Sequence, residues 1–251
     1  MFSDDPNLPV LEVMRLGRKG YEETHALQQE LVERRLAGEI TDTLILVEHD
    51  PVVTIGRGAD RAAAEAAGLP IHEVERGGEA TYHGPGQVVA YPILALPEDR
   101  RDLHRYMRDL EEVVIRVLGE LDIAGRREEG KTGVWIGDRK VASIGVAVRR
   151  WVTWHGLALN VHTDLEAFQP FRPCGLDPGV MTRLADHVVL PPASILFEVL
   201  LVKHVLEVFG LRLPDPPAPP AAAGPAELGP DGFPVLPILG DGPAGPGPGG
   251  A

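Results

Sequence analysis

Between Gly133 and Val161 the chain reads GVWIGDRKVASIGVAVRRWVTWHGLALNV. Its segments Gly133–Ile136, Lys140–Val148 and Gly156–Val161 are rich in β-branched and other apolar residues and are separated by turn residues such as Gly137-Asp138-Arg139. Consecutive antiparallel strands are therefore expected. Just upstream, Leu103, Tyr106, Met107, Leu110, Val113, Val114, Val117 and Leu121 recur with a period near 3.6, the strongest helical pattern in the chain. Tyr21, Leu27, Leu31, Val32 and Leu36 mark another helix within Gly20–Gly38. Between the two helices, Thr43–Val47, Val52–Ile55, Ile71–Glu75 and Gln87–Leu94 read as strands, and Ala-rich 59–67 as a short helix closed by Gly68. Ser194 reads as the N-cap of a last helix that ends at Phe209, before Gly210. Strands in runs, with helices between and beside them, describe an α+β domain: one mixed, largely antiparallel sheet with flanking helices.

Composition limits what such a domain does. The chain has 251 residues, 44% of them hydrophobic, with a single cysteine and a formal charge of −13. One cysteine forms no intramolecular disulfide and supports no multi-cysteine zinc or iron–sulfur cluster, so a reducing, cytoplasmic setting is expected. The N-terminus is acidic where a signal peptide is basic, and no run of about 18 apolar residues occurs, so neither secretion nor a membrane span is expected. The acidic balance argues against a nucleic-acid partner held by bulk attraction to phosphate. Residues 214–251 contain 12 prolines, 9 glycines, four acids and no Lys or Arg. They read as a disordered or extended tail outside a working domain of residues 1–213.

Cys174 is the only thiol, in Phe171-Arg172-Pro173-Cys174-Gly175-Leu176-Asp177-Pro178-Gly179. A lone cysteine is often a small buried hydrophobe, yet a loop punctuated by Pro and Gly exposes side chains, and Arg172 nearby favours a thiolate. Basic residues are 20 Arg and only four Lys. Arginine keeps its proton, whereas a buried lysine can release one. Lys140 opens a strand on the same face as Ala142 and Ile144, which suits either an inward lysine or a gatekeeper at a hairpin edge. Arg76-Gly77-Gly78-Glu79-Ala80-Thr81-Tyr82-His83-Gly84-Pro85-Gly86-Gln87 reads as a ligand-approaching loop or a decorated hairpin turn, and it matches neither phosphate-loop pattern. His155 and His162 stand seven apart, and His49 and His72 lack a partner at ligand spacing, so no structural metal is expected.

With Glu48–Arg57, the Arg76–Gln87 loop, Lys140–Val146, His155–Val161 and Pro173–Leu176 in this order, the chain resembles the lipoyl(octanoyl) transferases from about Val10 to Leu213. Val53, Ser143 and Arg183 stand where tyrosine, alanine and serine are common in that family. The resemblance implies a fold akin to the catalytic domain of biotin and lipoate protein ligases. It also implies transfer of an octanoyl group from acyl carrier protein to a lysine of a lipoyl domain, the first step of endogenous protein lipoylation, by a monomer without a cofactor. The acceptors it implies are the lipoyl domains of 2-oxoacid dehydrogenase complexes and the glycine cleavage H protein. Carried over by position, Cys174 is the nucleophile that forms an acyl-thioester, and Lys140 lowers its pKa and acts as general base. Substrate contacts fall on Arg76, Gly77, Gly78, Glu79, Ala80, Thr81, Tyr82 and His83, on Ser143, Ile144 and Gly145, and on Gly156, Leu157 and Ala158. Because carrier protein and chain are both acidic, a local basic rim of Arg57, Arg149, Arg150 and Arg172 is expected. An ATP-dependent ligase of the same fold and a non-catalytic scaffold are the competing readings.

Overall fold

The computed structural model describes residues 5–216 apart from Asp60, Arg172, Leu190 and Pro191; the side chains of Ala63 and Cys174 also lie outside the described part. The Pro/Gly-rich tail thus falls almost wholly outside the described residues. One compact unit spans Met1–Pro214.

Among the described residues, ten strands form two sheets rather than the single sheet expected. In chain order the strands are β1 (Leu11–Lys19), β2 (Asp42–His49), β3 (Val52–Ile55), β4 (Ile71–Glu73), β5 (Ala80–His83), β6 (Gln87–Ile93), β7 (Gly125–Glu128), β8 (Lys131–Ile136), β9 (Arg139–Arg149) and β10 (Val152–Asn160). The helices are α1 (Tyr21–Leu36), α2 (Arg61–Glu65), α3 (Leu103–Gly119) and α4 (Ser194–Phe209). The large sheet has the order β1-β2-β6-β10-β9-β8-β7, and β4-β3-β5 make the small one. Only the β1–β2 and β3–β4 pairs are parallel, so the α+β, largely antiparallel reading holds.

The large sheet is covered on both faces, which explains the unbroken apolar run of β2. Leu44 and Leu46 join the core under α3 and α4, while Ile45 and Val47 join the opposite core under α1. In α3, Leu110, Val113, Val114, Val117 and Leu118 are fully buried, each worth about 1.5–3 kcal/mol of transfer free energy. Asp102 caps the helix by accepting from the backbone N–H groups of His104 and Arg105. The last helix is capped differently from expectation: Ala193 is its N-cap and Ser194 its first residue. β3 and β5 pack Val53, Ile55, Ala80 and Tyr82 against Phe168, Phe171 and Met181, a third core. No helix among the described residues is long and apolar enough to cross a membrane.

Candidate active site

The site lies between the loop that joins β4 to β5 and strands β9 and β10 of the large sheet. Arg76, nearly buried, holds the glycine loop together. Its Nη2 donates to the Thr54 carbonyl and hydroxyl, both at 3.0 Å, and its Nη1 donates to the carbonyls of Glu79 (2.8 Å) and Gly77 (3.1 Å). A Cβ on Gly145 would lie 2.8 Å from Arg76 Cδ, so the bare glycine in β9 is what admits the arginine. In the next strand a Cβ on Gly156 would meet the Ala90 carbonyl at 2.2 Å, so this glycine lets β10 approach β6. Both gaps are therefore filled by protein.

Two cavities flank Arg76. The first, with about 30 Å³ of water-sized space, is walled by Arg76, Thr81 and His83 from the loop side, Ser143–Gly145 from β9 and Gly156–Ala158 from β10. Tyr21, Tyr91 and His155 complete it. The second is a larger groove that brings Gly77–Glu79, Lys140, Ile144, Gly145 and Leu176 to one place. Arg57, Leu103, Met107 and the Gly130–Thr132 turn form its outer rim.

Lys140 is 1% exposed, so the edge-gatekeeper reading fails and the inward one stands. Room for it comes from β8: a Cβ on Gly133 would lie 2.6 Å from Lys140 Cε. The loop that follows Cys174 is tied to the same strand, because the Thr182 N–H donates to the Lys140 carbonyl at 2.9 Å and Met181 bridges Lys140. A relay of side chains runs from there to the glycine loop. Asn160 Nδ2 donates to the Thr182 carbonyl (3.0 Å), Gln87 Nε2 donates to Asn160 Oδ1 (2.9 Å), and Gln87 Oε1 accepts from His83 Nδ1 (2.8 Å). The Pro173–Gly175 turn carries the Cys174 backbone against β5. A Cβ on Gly175, which has φ 71°, would lie 2.5 Å from Glu79 Oε2, so the glycine loop meets the cysteine turn directly.

Histidines gather behind the first cavity. His49 Nδ1 donates to the Lys19 carbonyl, which leaves Nε2 to accept from the Tyr91 hydroxyl at 2.8 Å. Burial holds the His49 pKa down at about 4. It also holds His83 at about 3, with neighbouring His49 lowering it further, and His155 at about 3, with help from His25. All three are neutral at pH 7. Burial raises the phenol pKa of Tyr21 and Tyr91, so both are hydroxyl donors there.

The family model for the lipoyl protein ligase A/B catalytic domain matches residues 20–203. An octanoyltransferase of Geobacter metallireducens is 48% identical over 170 residues, 68% of this chain and 80% of that protein. The chain belongs to the octanoyltransferase family. It is an acyltransferase. Another family member, from Syntrophotalea carbinolica, is 42% identical over 204 residues, 81% of this chain and 97% of that protein. Among solved structures, lipoate-protein ligase A bound with ATP superposes with a TM-score of 0.67 over 83% of this chain and 88% of that one. At 18% identity this likeness concerns the fold alone, the α+β fold of the lipoate ligases.

In this octanoyltransferase chain the expected contact residues do not all meet one cavity. Gly77, Gly78 and Glu79 line the groove beside Lys140, while Ala80 and Tyr82 line neither space. Tyr82 instead stacks edge-on against Phe168 at 5.4 Å in the small-sheet core. Tyr21, Tyr91, His155 and Leu176 were not anticipated. Tyr21 opens a helix and Tyr91 sits in a strand, positions whose side chains read as core. Of the arginine rim, Arg57 donates to the Glu75 carbonyl from Nε and Nη2, Arg149 pairs with Glu33, Arg150 is exposed, and Arg172 lies outside the described residues.

Proposed function

We propose that the chain transfers an octanoyl group from an acyl carrier protein thioester to a lysine of lipoyl domains, through a thioester on Cys174. The acceptors are the lipoyl domains of 2-oxoacid dehydrogenase complexes and the glycine cleavage H protein, and the catalytic domain is residues 1–213. One observation carries the reading: Lys140, a buried lysine, lines the same groove as Gly77–Glu79 and Leu176, two residues after the only cysteine.

In this scheme Cys174 reacts as the thiolate and Lys140 starts as the ammonium. The thiolate sulfur bonds the octanoyl carbonyl carbon, the carrier C–S bond breaks, and the departing carrier thiolate takes the Lys140 proton. The acceptor amine then attacks the acyl-enzyme. A C–N bond forms, the Cys174 C–S bond breaks, and the amine proton passes to neutral Lys140, which restores the starting pair. A thioester lies above an amide in transfer potential, so neither half-reaction consumes ATP. Ile144 and Leu157 give the first cavity an apolar wall, and the cavity widens to take the hydrocarbon chain.

Octanoyl-carrier incubated with the chain is expected to leave one hydroxylamine-labile octanoyl adduct by intact mass, and Cys174→Ser to leave none. A labile adduct on Cys174→Ser removes the cysteine from the scheme. In Lys140→Ala the pH midpoint of Cys174 alkylation should rise toward that of a free thiol. An unchanged midpoint removes the lysine.

A further inference from the structure

At the first cavity, whose wall His155 completes, three potential ligands from distant parts of the chain converge. They are His25 on α1, Glu75 in the loop after β4, and His155 on β10. His25 Nε2 lies 3.2 Å from Glu75 Oε2, and His155 Nε2 lies 3.9 Å from the same oxygen. The ligand atoms of all three residues fall within 4.8 Å of one another.

His155 is the informative member. Its side chain is 3% exposed, and its Nε2 is buried without a hydrogen-bond partner. A buried ring nitrogen left unsatisfied costs about 1–3 kcal/mol, so something is expected to fill the position. The ring is held in place: it stacks on Trp154 at 4.5 Å and on His25 at 5.6 Å, and its backbone N–H donates to Gln28 Oε1 at 2.9 Å. Gln28 stands one helical turn after His25, so the same face of α1 supplies one ligand and positions another.

We propose that His25, Glu75 and His155 form a binding site for one borderline transition cation of the zinc class. Two imidazole nitrogens and a carboxylate oxygen are the donor set such ions prefer, whereas calcium and magnesium require more oxygens. Tetrahedral zinc, with bonds of about 2.0–2.2 Å, sets its ligand atoms about 3.3 Å apart. Closing the site from the present spacings requires the less buried His25 and Glu75 side chains to move toward His155. Glu75 is half exposed, so solvent reaches the cluster from its side. The ion would fasten α1 to the two segments that frame the acyl cavity, since Glu75 precedes Arg76 and His155 precedes Gly156. Such a site leaves no motif in the sequence, because its ligands are 50 and 80 positions apart.

The test uses the full chain, stripped with chelator, in a Cys174→Ala background so that the thiol takes no metal. Zinc titrated at pH 7 is expected to bind one per chain with micromolar affinity and to raise Tm, and cobalt(II) to give tetrahedral visible bands. His25→Ala and Glu75→Gln should each weaken zinc by at least about tenfold and abolish the Tm rise, while their metal-free Tm stays near that of the parent. Absence of stoichiometric binding, or an affinity unchanged in either variant, overturns the site.

Discussion

Lys140 owes its place to a residue it does not pair with. Gly133 has φ 128°, a region closed to other L-residues, and a Cβ there would strike both Lys140 Cε and the Ala142 carbonyl, the latter at 2.5 Å. Gly133→Ala is therefore expected to lose roughly 1–3 kcal/mol of stability by urea unfolding and to slow acylation of Cys174. Gly137→Ala is its control: φ is 56° and nothing lies within 4 Å of the added methyl. That change should cost about 1–2 kcal/mol in strain and leave the acylation rate unaltered. Equal rate losses in the two variants would mean that backbone strain, not the lysine's position, limits the step. At this scale the sequence singled out residues to test but did not say where they point. Lys140 at a strand start fits an inward or an edge lysine equally, and only the neighbouring β8 backbone decides.

The element behind Gly133 is α3. Glu111 is completely buried on that helix; its Oε1 accepts from the Gly133 N–H at 3.0 Å, and its Oε2 accepts from Arg108 (2.6 Å) and Arg127 (3.2 Å). The carboxylate thus pins the strand that makes room for Lys140. Glu111→Ala strands a buried N–H and should cost about 1–3 kcal/mol, whereas Glu111→Gln, which keeps an acceptor oxygen, should recover most of it; equal losses in urea melts would contradict the link. The period of α3 was plain because its inward face is aliphatic from Leu110 to Leu118. By contrast, α1 turns Thr24 and Gln28 inward beside the site, where apolar periodicity carries no signal. β1 and β7 were missed for a related reason. Both are edge strands with exposed or half-exposed charges, and neither shows a clean alternation. The Arg76–His83 stretch read as a loop or hairpin turn because its strand, β5, has four residues and belongs to a three-stranded sheet that packs on residues far along the chain, Phe168 and Phe171.

For the molecule as a whole, the buried histidines make folding sensitive to mild acid. His49 and His83 titrate near 4 and 3 when folded and near 6.5 when unfolded, so between those values the unfolded chain binds more protons and stability falls as pH drops. From pH 7 to pH 5 each should remove roughly 2 kcal/mol. The Tm decrease over that interval should shrink in His49→Gln, and a decrease of the same size would exonerate the histidine. By itself the sequence determined the α+β class, the long helices and the central strands, and it singled out Cys174 and Lys140 as the pair to test, because aliphatic periodicity, turn residues and a lone cysteine among few lysines are local properties. What tertiary structure decided is the splitting of one expected sheet into two, the burial of Lys140, the sorting of the contact residues between two cavities, and the meeting of His25, Glu75 and His155. Each of these depends on which strands become neighbours, and that is set by side chains packing across tens of residues, where no local pattern reaches.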